Sequence, residues 1–323
     1  MSTNAKMLYL YVETPLHAGV GSGLSSIDLP IQRERTTQYP MIQGSGIKGK
    51  LRAAMEGERK ALSPEQRNTV DILFGPPSKP AEGDEDKASG SDHAGALIFG
   101  DARILLFPVR SLNGVFAYTT SYDVLNRFMR DADHGSDTMA LKLPQEKQSE
   151  HTVHVTKNQK SRVTANDMVV LEEFSFTAEP NSVVDDIATW IAAEALPQGN
   201  KSSQTDVYTY WRAKIKDSLV ILPEDDFRDF VVNATEIITR ISIDRMTKTA
   251  TGTALWTEEH LPTDTLLYVP VYATNSRRNG SAMQANDILQ KVASLEDNQG
   301  GYIQLGGDET VGRGIVRMHW SGK

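Results

Sequence analysis

The sequence predicts an α+β fold, and three observations carry that prediction. Thr235 to Ile243 alternates with a period of two: Ile237, Thr239, Ile241 and Ile243 share one face, and Arg240, Ser242 and Asp244 the other. Ile47, Leu51 and Met55 recur at i, i+4 and i+8, the stripe of a helix. Strand-like and helix-like stretches come in mixed order with no internal repeat, which suits an α+β sandwich rather than a doubly wound sheet or a bundle.

Met7 to Glu13, rich in Tyr, Leu and Val, reads as the first strand. A glycine-rich turn from His17 to Gly23 follows, then irregular chain to Pro40. Gly44-Ser45-Gly46 opens the striped helix. Residues 76–95 hold Pro, Gly, Ser and acids with almost nothing to bury, and read as a mobile surface insertion. Leu97 to Val109 reads as a largely buried strand. Residues 130–170 are mixed and polar, with a short alternating piece at His151 to Val155. Ser182, with Asp185 three residues on, starts a helix in the manner of a capping box. Pro223 to Val232 reads as helical. The alternating stretch, a polar Thr-Lys-Thr run and Ala254-Leu255-Trp256 then suggest a hairpin reaching away from the core, with Gly252 near its turn. Leu266 to Tyr272 and Ile315 to Trp320 read as further strands.

The 323 residues carry 34 Lys and Arg against 42 Asp and Glu, a net charge of −8. That total argues against a surface coated with nucleic acid. The charge is uneven, however. Between Arg35 and Met55 there is no acid at all, only Arg35, Lys48, Lys50 and Arg52, a stretch able to hold an anion on one face. There is no cysteine, which excludes disulfides, thiolate zinc sites and cysteine nucleophiles. The first apolar run is broken by Glu13 and Pro15, and no stretch of about twenty apolar residues exists, so the expectation is a cytoplasmic chain without membrane contact.

Gly44 to Lys50 fits the first seven places of a phosphate-binding P-loop, but the Ser or Thr that would bind Mg²⁺ is Leu51, which sits on the apolar stripe. Leu51 speaks against an NTPase, a reading that would require the isolated chain to bind ATP. The phosphate reading survives: a glycine-rich entry to a helix presents free N–H groups, and Lys48, Lys50 and Arg52 add charge. Near the other end, Gly306, Gly307, Gly312 and Gly314 bracket Arg313. Either a tight hairpin or a surface for close backbone approach would use them.

These two glycine-rich elements, one near each terminus, resemble the RAMP superfamily of CRISPR proteins. The strings Thr14-Pro15-Leu16-His17-Ala18-Gly19, Ile27-Asp28-Leu29-Pro30-Ile31-Gln32-Arg33-Glu34 and Tyr39 to Gly49 are similar to the backbone (fourth) subunit of the type III-B (Cmr) effector. So are Gly100 to Ser111, Ala254 to Pro262 and Gly306 to Gly314. The resemblance spans nearly the whole chain and is loosest at 76–95 and 130–170. It implies an RRM-like (ferredoxin-like) palm in one elaborated domain, finger insertions about 130–170 and a thumb hairpin about 243–262. It implies copies stacked in a helical filament on crRNA beside other Cmr subunits, and cleavage of the paired target RNA every sixth nucleotide with a divalent metal, Mg²⁺ or Mn²⁺.

The family's aspartate before Leu-Pro-Ile-Gln is Asp28 here, the expected metal ligand and catalytic residue. Taken alone, a loop aspartate caps backbone N–H groups; the flanking motif turns the reading. His17, Glu258 and His260 complete the expected catalytic set, with His at 260 where the family commonly has Tyr. RNA carries its own nucleophile, so a carboxylate or imidazole need only orient or deprotonate the 2′-OH. Gly44, Ser45, Gly46, Lys48, Lys50, Arg52, Arg240, Arg245, Gly312 and Arg313 are the expected RNA contacts. A scaffold of the same fold that binds crRNA without cutting is the alternative.

Overall fold

The computed structural model describes residues 4–22, 26–77, 93–133, 143–144, 148–158, 160–198 and 206–322. The insertion expected at 76–95 thus lies outside the described residues over 78–92, as do parts of 130–170. Among the described residues, helices pack on one large mixed sheet, so the architecture is α+β. No helix among them is long and apolar enough to cross a membrane.

The first strand, Asn4–Val12, sits inside the sheet, antiparallel to Leu266–Ala273 on one side and Ile315–Trp320 on the other. Met7 through Val12 are all buried, odd and even positions alike, because both faces of the strand are covered. That is why this strand reads as an apolar run and not an alternation. Each fully buried Leu here contributes on the order of 1.5–3 kcal/mol of transfer free energy.

The expected strand from Leu97 is two strands, Leu97–Phe99 and Ala102–Arg110, both paired with Leu266–Ala273. Gly100 makes the break: its N–H donates to the Pro270 carbonyl, and a Cβ there would lie 2.7 Å from the Pro270 ring. The striped helix is Gly44–Glu56, with Ile47 and Leu51 buried in the core. The helix at Ser182–Trp190 is capped by Asn181, whose side chain accepts from Val183 N–H. Asp185 instead accepts the backbone N–H groups of Lys157 and Asn158, so the capping box expected there is absent. Pro64–Phe74, a helix absent from the sequence expectation, does carry a capping box, Ser63 with Gln66.

The alternating stretch is the strand Glu236–Ile243, paired antiparallel with Ala250–His260. The turn between them is Asp244 to Thr249, held by Asp244 accepting from the N–H groups of Met246 and Thr247. Gly252, expected near the turn, lies within the second strand. Among the described residues the hairpin pairs with no strand of the large sheet, and its apolar face, Ile237, Ile241 and Leu255, is exposed.

Candidate functional site

Four chain segments are stitched together at the base of this hairpin. Leu16 and Leu261 exchange backbone hydrogen bonds. Leu29 N–H donates to Thr257 O, and Glu259 N–H donates back to Leu29 O. Gly307 N–H donates to His17 O at 2.9 Å, and Gly314 N–H to Pro15 O at 3.0 Å. The glycine-rich loop near the C-terminus therefore serves close approach. Gly306 has φ +76°, and a Cβ on it would stand 2.2 Å from the His17 carbonyl oxygen.

Neighbouring residues of the Ala250–His260 strand face opposite sides, and this separates the expected catalytic residues into two groups. Glu259 faces the loop of residues 28–34. One of its carboxylate oxygens accepts from Ile31 N–H; the other accepts from Thr235 Oγ1 and pairs with Arg33. Asp28 stands on the edge of this side, exposed. Its Oδ2 accepts both the N–H and the hydroxyl of Thr257, at 2.8 and 2.9 Å. Those bonds, the backbone one foremost, hold its carboxyl below the usual aspartate value. Asp28 is thus a firmly charged, weakly basic carboxylate.

Glu258 and His260 face the other side, toward Arg240 and Asp308. Arg240 pairs with Glu258 Oε2 and, at 2.9 Å, with Asp308 Oδ2. Trp256 Nε1–H donates to Glu258 Oε1 at 2.7 Å. His260 is 0 % exposed, and burial, followed by the neighbouring His17 and Arg313, keeps its imidazole below the ordinary value. The His17 ring lies 5.4 Å from that of His260, centre to centre. His17 Nδ1 is 2.7 Å from the Glu259 carbonyl, which can only accept. The proton therefore sits on Nδ1, and in the neutral ring Nε2 carries the lone pair.

The structure brings His17, Glu258, His260 and Arg240 together and sets Asp28 on the neighbouring edge. Asp308 joins the group and was missed as a site residue. The available signal was an aspartate among four glycines; its backbone is left-handed, φ +61°.

The expected RNA contacts on the Gly44–Glu56 helix fare differently. Gly44 N–H donates to Asp101 Oδ1 at 2.9 Å, so a protein carboxylate already sits at the helix start. Lys48 Nζ donates to Leu97 O, and Arg52 binds Glu56, Gly75 O and Asp71. Both cations are spent inside the molecule. Lys50 lies 3.6 Å from Glu309 on the surface, Ser45 and Gly46 are exposed, and so are Arg245 in the hairpin turn and Gly312.

A family model described as the RAMP superfamily matches residues 9–317. The chain is 34% identical over 319 residues, 97% of its own length and 95% of the relative's, to the CRISPR system Cmr endoribonuclease Cmr4 of Pyrococcus furiosus. It is 24% identical over 325 residues to the CRISPR system CMR subunit Cmr4 of Saccharolobus solfataricus, covering 98% of this chain and 97% of that one. The crystal structure of oligomeric Cmr4 from Pyrococcus furiosus superposes with a TM-score of 0.70 at 32% identity, covering 99% of each chain. A chain in the cryo-EM structure of the type III-B Cmr-beta bound to cognate target RNA shares the fold, with a TM-score of 0.66 at 22% identity over 98% and 96% of the two chains.

Proposed function

The chain belongs to the RAMP superfamily, and from that premise we propose that it is an RNA-guided endoribonuclease, the backbone subunit of a type III-B CRISPR effector. In this reading its copies line a crRNA as a helical filament beside other Cmr subunits. Each copy uses an RRM-like palm and the 236–260 hairpin as a thumb, and each cuts the paired target RNA, at intervals of six nucleotides. The observation that carries the reading is the base of the hairpin, where segments far apart in sequence set His17 and Glu258 beside His260 and, on the other side of the same strand, Asp28 against Thr257.

The chemistry follows from the atoms. The target supplies its own nucleophile, the 2′-OH beside the scissile phosphate, and holding it in line removes much of the barrier. His17 Nε2 is the base that accepts the 2′-OH proton, since Nδ1 is committed to the Glu259 carbonyl. His260 is buried, so it acts by backing the His17 ring and not by touching RNA. Asp28, held below the usual aspartate value, is a poor proton acceptor. Its charge and exposed position suit it to hold a divalent cation, which when bound would supply charge neutralisation at the phosphate. Arg313, Lys50, Arg245 and the exposed Gly312 loop are the remaining contacts for the RNA backbone.

The test is product mapping on a target RNA with the effector assembled from Asp28→Ala subunits. Guide and target binding should persist while the six-nucleotide ladder disappears. An unchanged ladder would remove Asp28 from the reaction; no ladder from the wild-type effector would leave the crRNA-binding scaffold as the function.

A further inference from the structure

On the opposite side of the strand from Asp28's partner Thr257, three side chains converge without having satisfied one another. His260 Nε2 lies 3.9 Å from Glu258 Oε2 and 3.6 Å from Asp308 Oδ2. Those separations are too long for hydrogen bonds. They are close to the edge of a coordination tetrahedron, about 3.4 Å for bonds of about 2.1 Å. The three ligating atoms all lie within 4.8 Å of one another.

The second observation is independent of the acids. His260 is wholly buried, yet neither ring nitrogen has a hydrogen-bond partner among the described residues. Glu258 Oε2 and Arg240 Nε are also buried without a hydrogen bond: they attract as charges but are not aligned as donor and acceptor. A buried polar network left half satisfied is costly unless something else completes it. Trp256 fixes Glu258 through Oε1 and so aims Oε2 into the group, as an outer hydrogen bond orients a metal ligand.

We propose that Glu258, His260 and Asp308 form a binding site for a divalent transition-metal ion, with Arg240 as its gate. One imidazole and two carboxylates favour Mn²⁺ or Zn²⁺ over Mg²⁺, which prefers an all-oxygen shell. Arg240 bridges the same two carboxylates that the ion would take, so ion and guanidinium compete. His17 and Arg313 are the other groups facing the cluster. Asp308, with its side chain 26% exposed, leaves the entry path. Asp28 is not among the ligands. The site stands on these residues; its bearing on RNA cutting rests on the function proposed above.

The experiment is Mn²⁺ titration of the full-length chain followed by electron paramagnetic resonance. Wild type should bind an ion with a ¹⁴N coupling from the His260 imidazole. His260→Ala should abolish the coupling, and Asp308→Asn, at a partly exposed position that spares the core, should weaken binding at least about 10-fold. Arg240→Gln should tighten the nitrogen-coupled ion, and Asp28→Ala should leave that coupling unchanged. No bound Mn²⁺ in wild type, no nitrogen coupling, or a coupling lost only with Asp28→Ala each overturns the site. Cutting by the assembled effector is scored separately, so a bound ion without cutting removes the nuclease reading and leaves the site standing.

Discussion

The Nε2 of His17 stands directly over Gly19: a Cβ on Gly19 would come within 2.5 Å of it. The ring is held there because Nδ1 donates to the Glu259 carbonyl, and the absent Gly19 side chain is what leaves room for it.

That relationship makes Gly19→Ala an indirect substitution of His17. The methyl displaces the ring, so target cutting should fall by about 10²-fold, the usual worth of a positioned base, as it should for His17→Ala. Guide binding should stay within twofold. Single-turnover cleavage with both variants checks this; a fully active Gly19→Ala would show that the position of the ring is immaterial.

Glu259 ties the 28–34 loop to the hairpin through Ile31, Arg33 and Thr235, and it is buried. Glu259→Ala leaves Arg33 without its charge partner, and breaking such a pair costs about 3–5 kcal/mol. Urea unfolding should show that loss. Glu258→Gln serves as the contrast, since it keeps the size and leaves the loop contacts alone. Equal unfolding midpoints for Glu259→Ala and wild type would contradict the assignment.

The cations of the Gly44–Glu56 helix divide by what they touch. Arg52→Ala removes bonds to Glu56 and Gly75 and should cost about 1–2 kcal/mol of stability, with little change in the salt dependence of guide binding. Lys50→Ala and Arg245→Ala should do the reverse. Each lowers the slope of log K against log salt by about 0.7 if one phosphate contact is lost. Filter binding between 50 and 300 mM salt separates the two groups; a flattened slope with Arg52→Ala would reverse the assignment.

His154 sets a pH dependence away from the site. Burial holds its imidazole below the ordinary value of 6.5, with Glu179 at 3.8 Å pulling weakly the other way and Tyr122 hydrogen-bonded to Nδ1. The folded state therefore keeps the ring neutral, while the unfolded chain takes up a proton below 6.5. The stability this provides is complete above 6.5 and is lost as pH falls toward the folded value. Thermal unfolding between pH 7.5 and 5 should show a smaller decline for His154→Gln than for wild type. Equal declines would remove His154 from the effect.

Much of the fold was legible because local patterns were strong. The stripe Ile47, Leu51, Met55 is a helix, and the alternation from Ile237 to Ile243 is a strand. The breaks were less legible. Gly100 interrupts a strand because Pro270 packs against it from 170 residues away, and Asn181 caps the helix that Ser182 seemed to start. Neither fact has a local signature strong enough to override its neighbour.

The site was legible as a set of residue types but not as an arrangement. The motif around Asp28 and the pair Glu258, His260 could be named from the chain, and so could the glycines that let the terminal loops touch. Asp308 could not, since nothing in its own segment says that it meets Arg240 and His260.

By itself, the sequence determined an acidic α+β chain without cysteine, its strands and main helix, and the residues available for RNA chemistry, because composition and periodicity are local properties. Only the tertiary structure decided which of them face each other. The pleat sends Glu258 and Glu259 to opposite sides of one strand, so that one joins the Arg240, Asp308 and His260 group while the other anchors the 28–34 loop. It also turned Lys48 and Arg52 inward, where Leu97, Gly75 and Asp71 lie, a placement fixed by how the helix packs and invisible in the spacing of its charges.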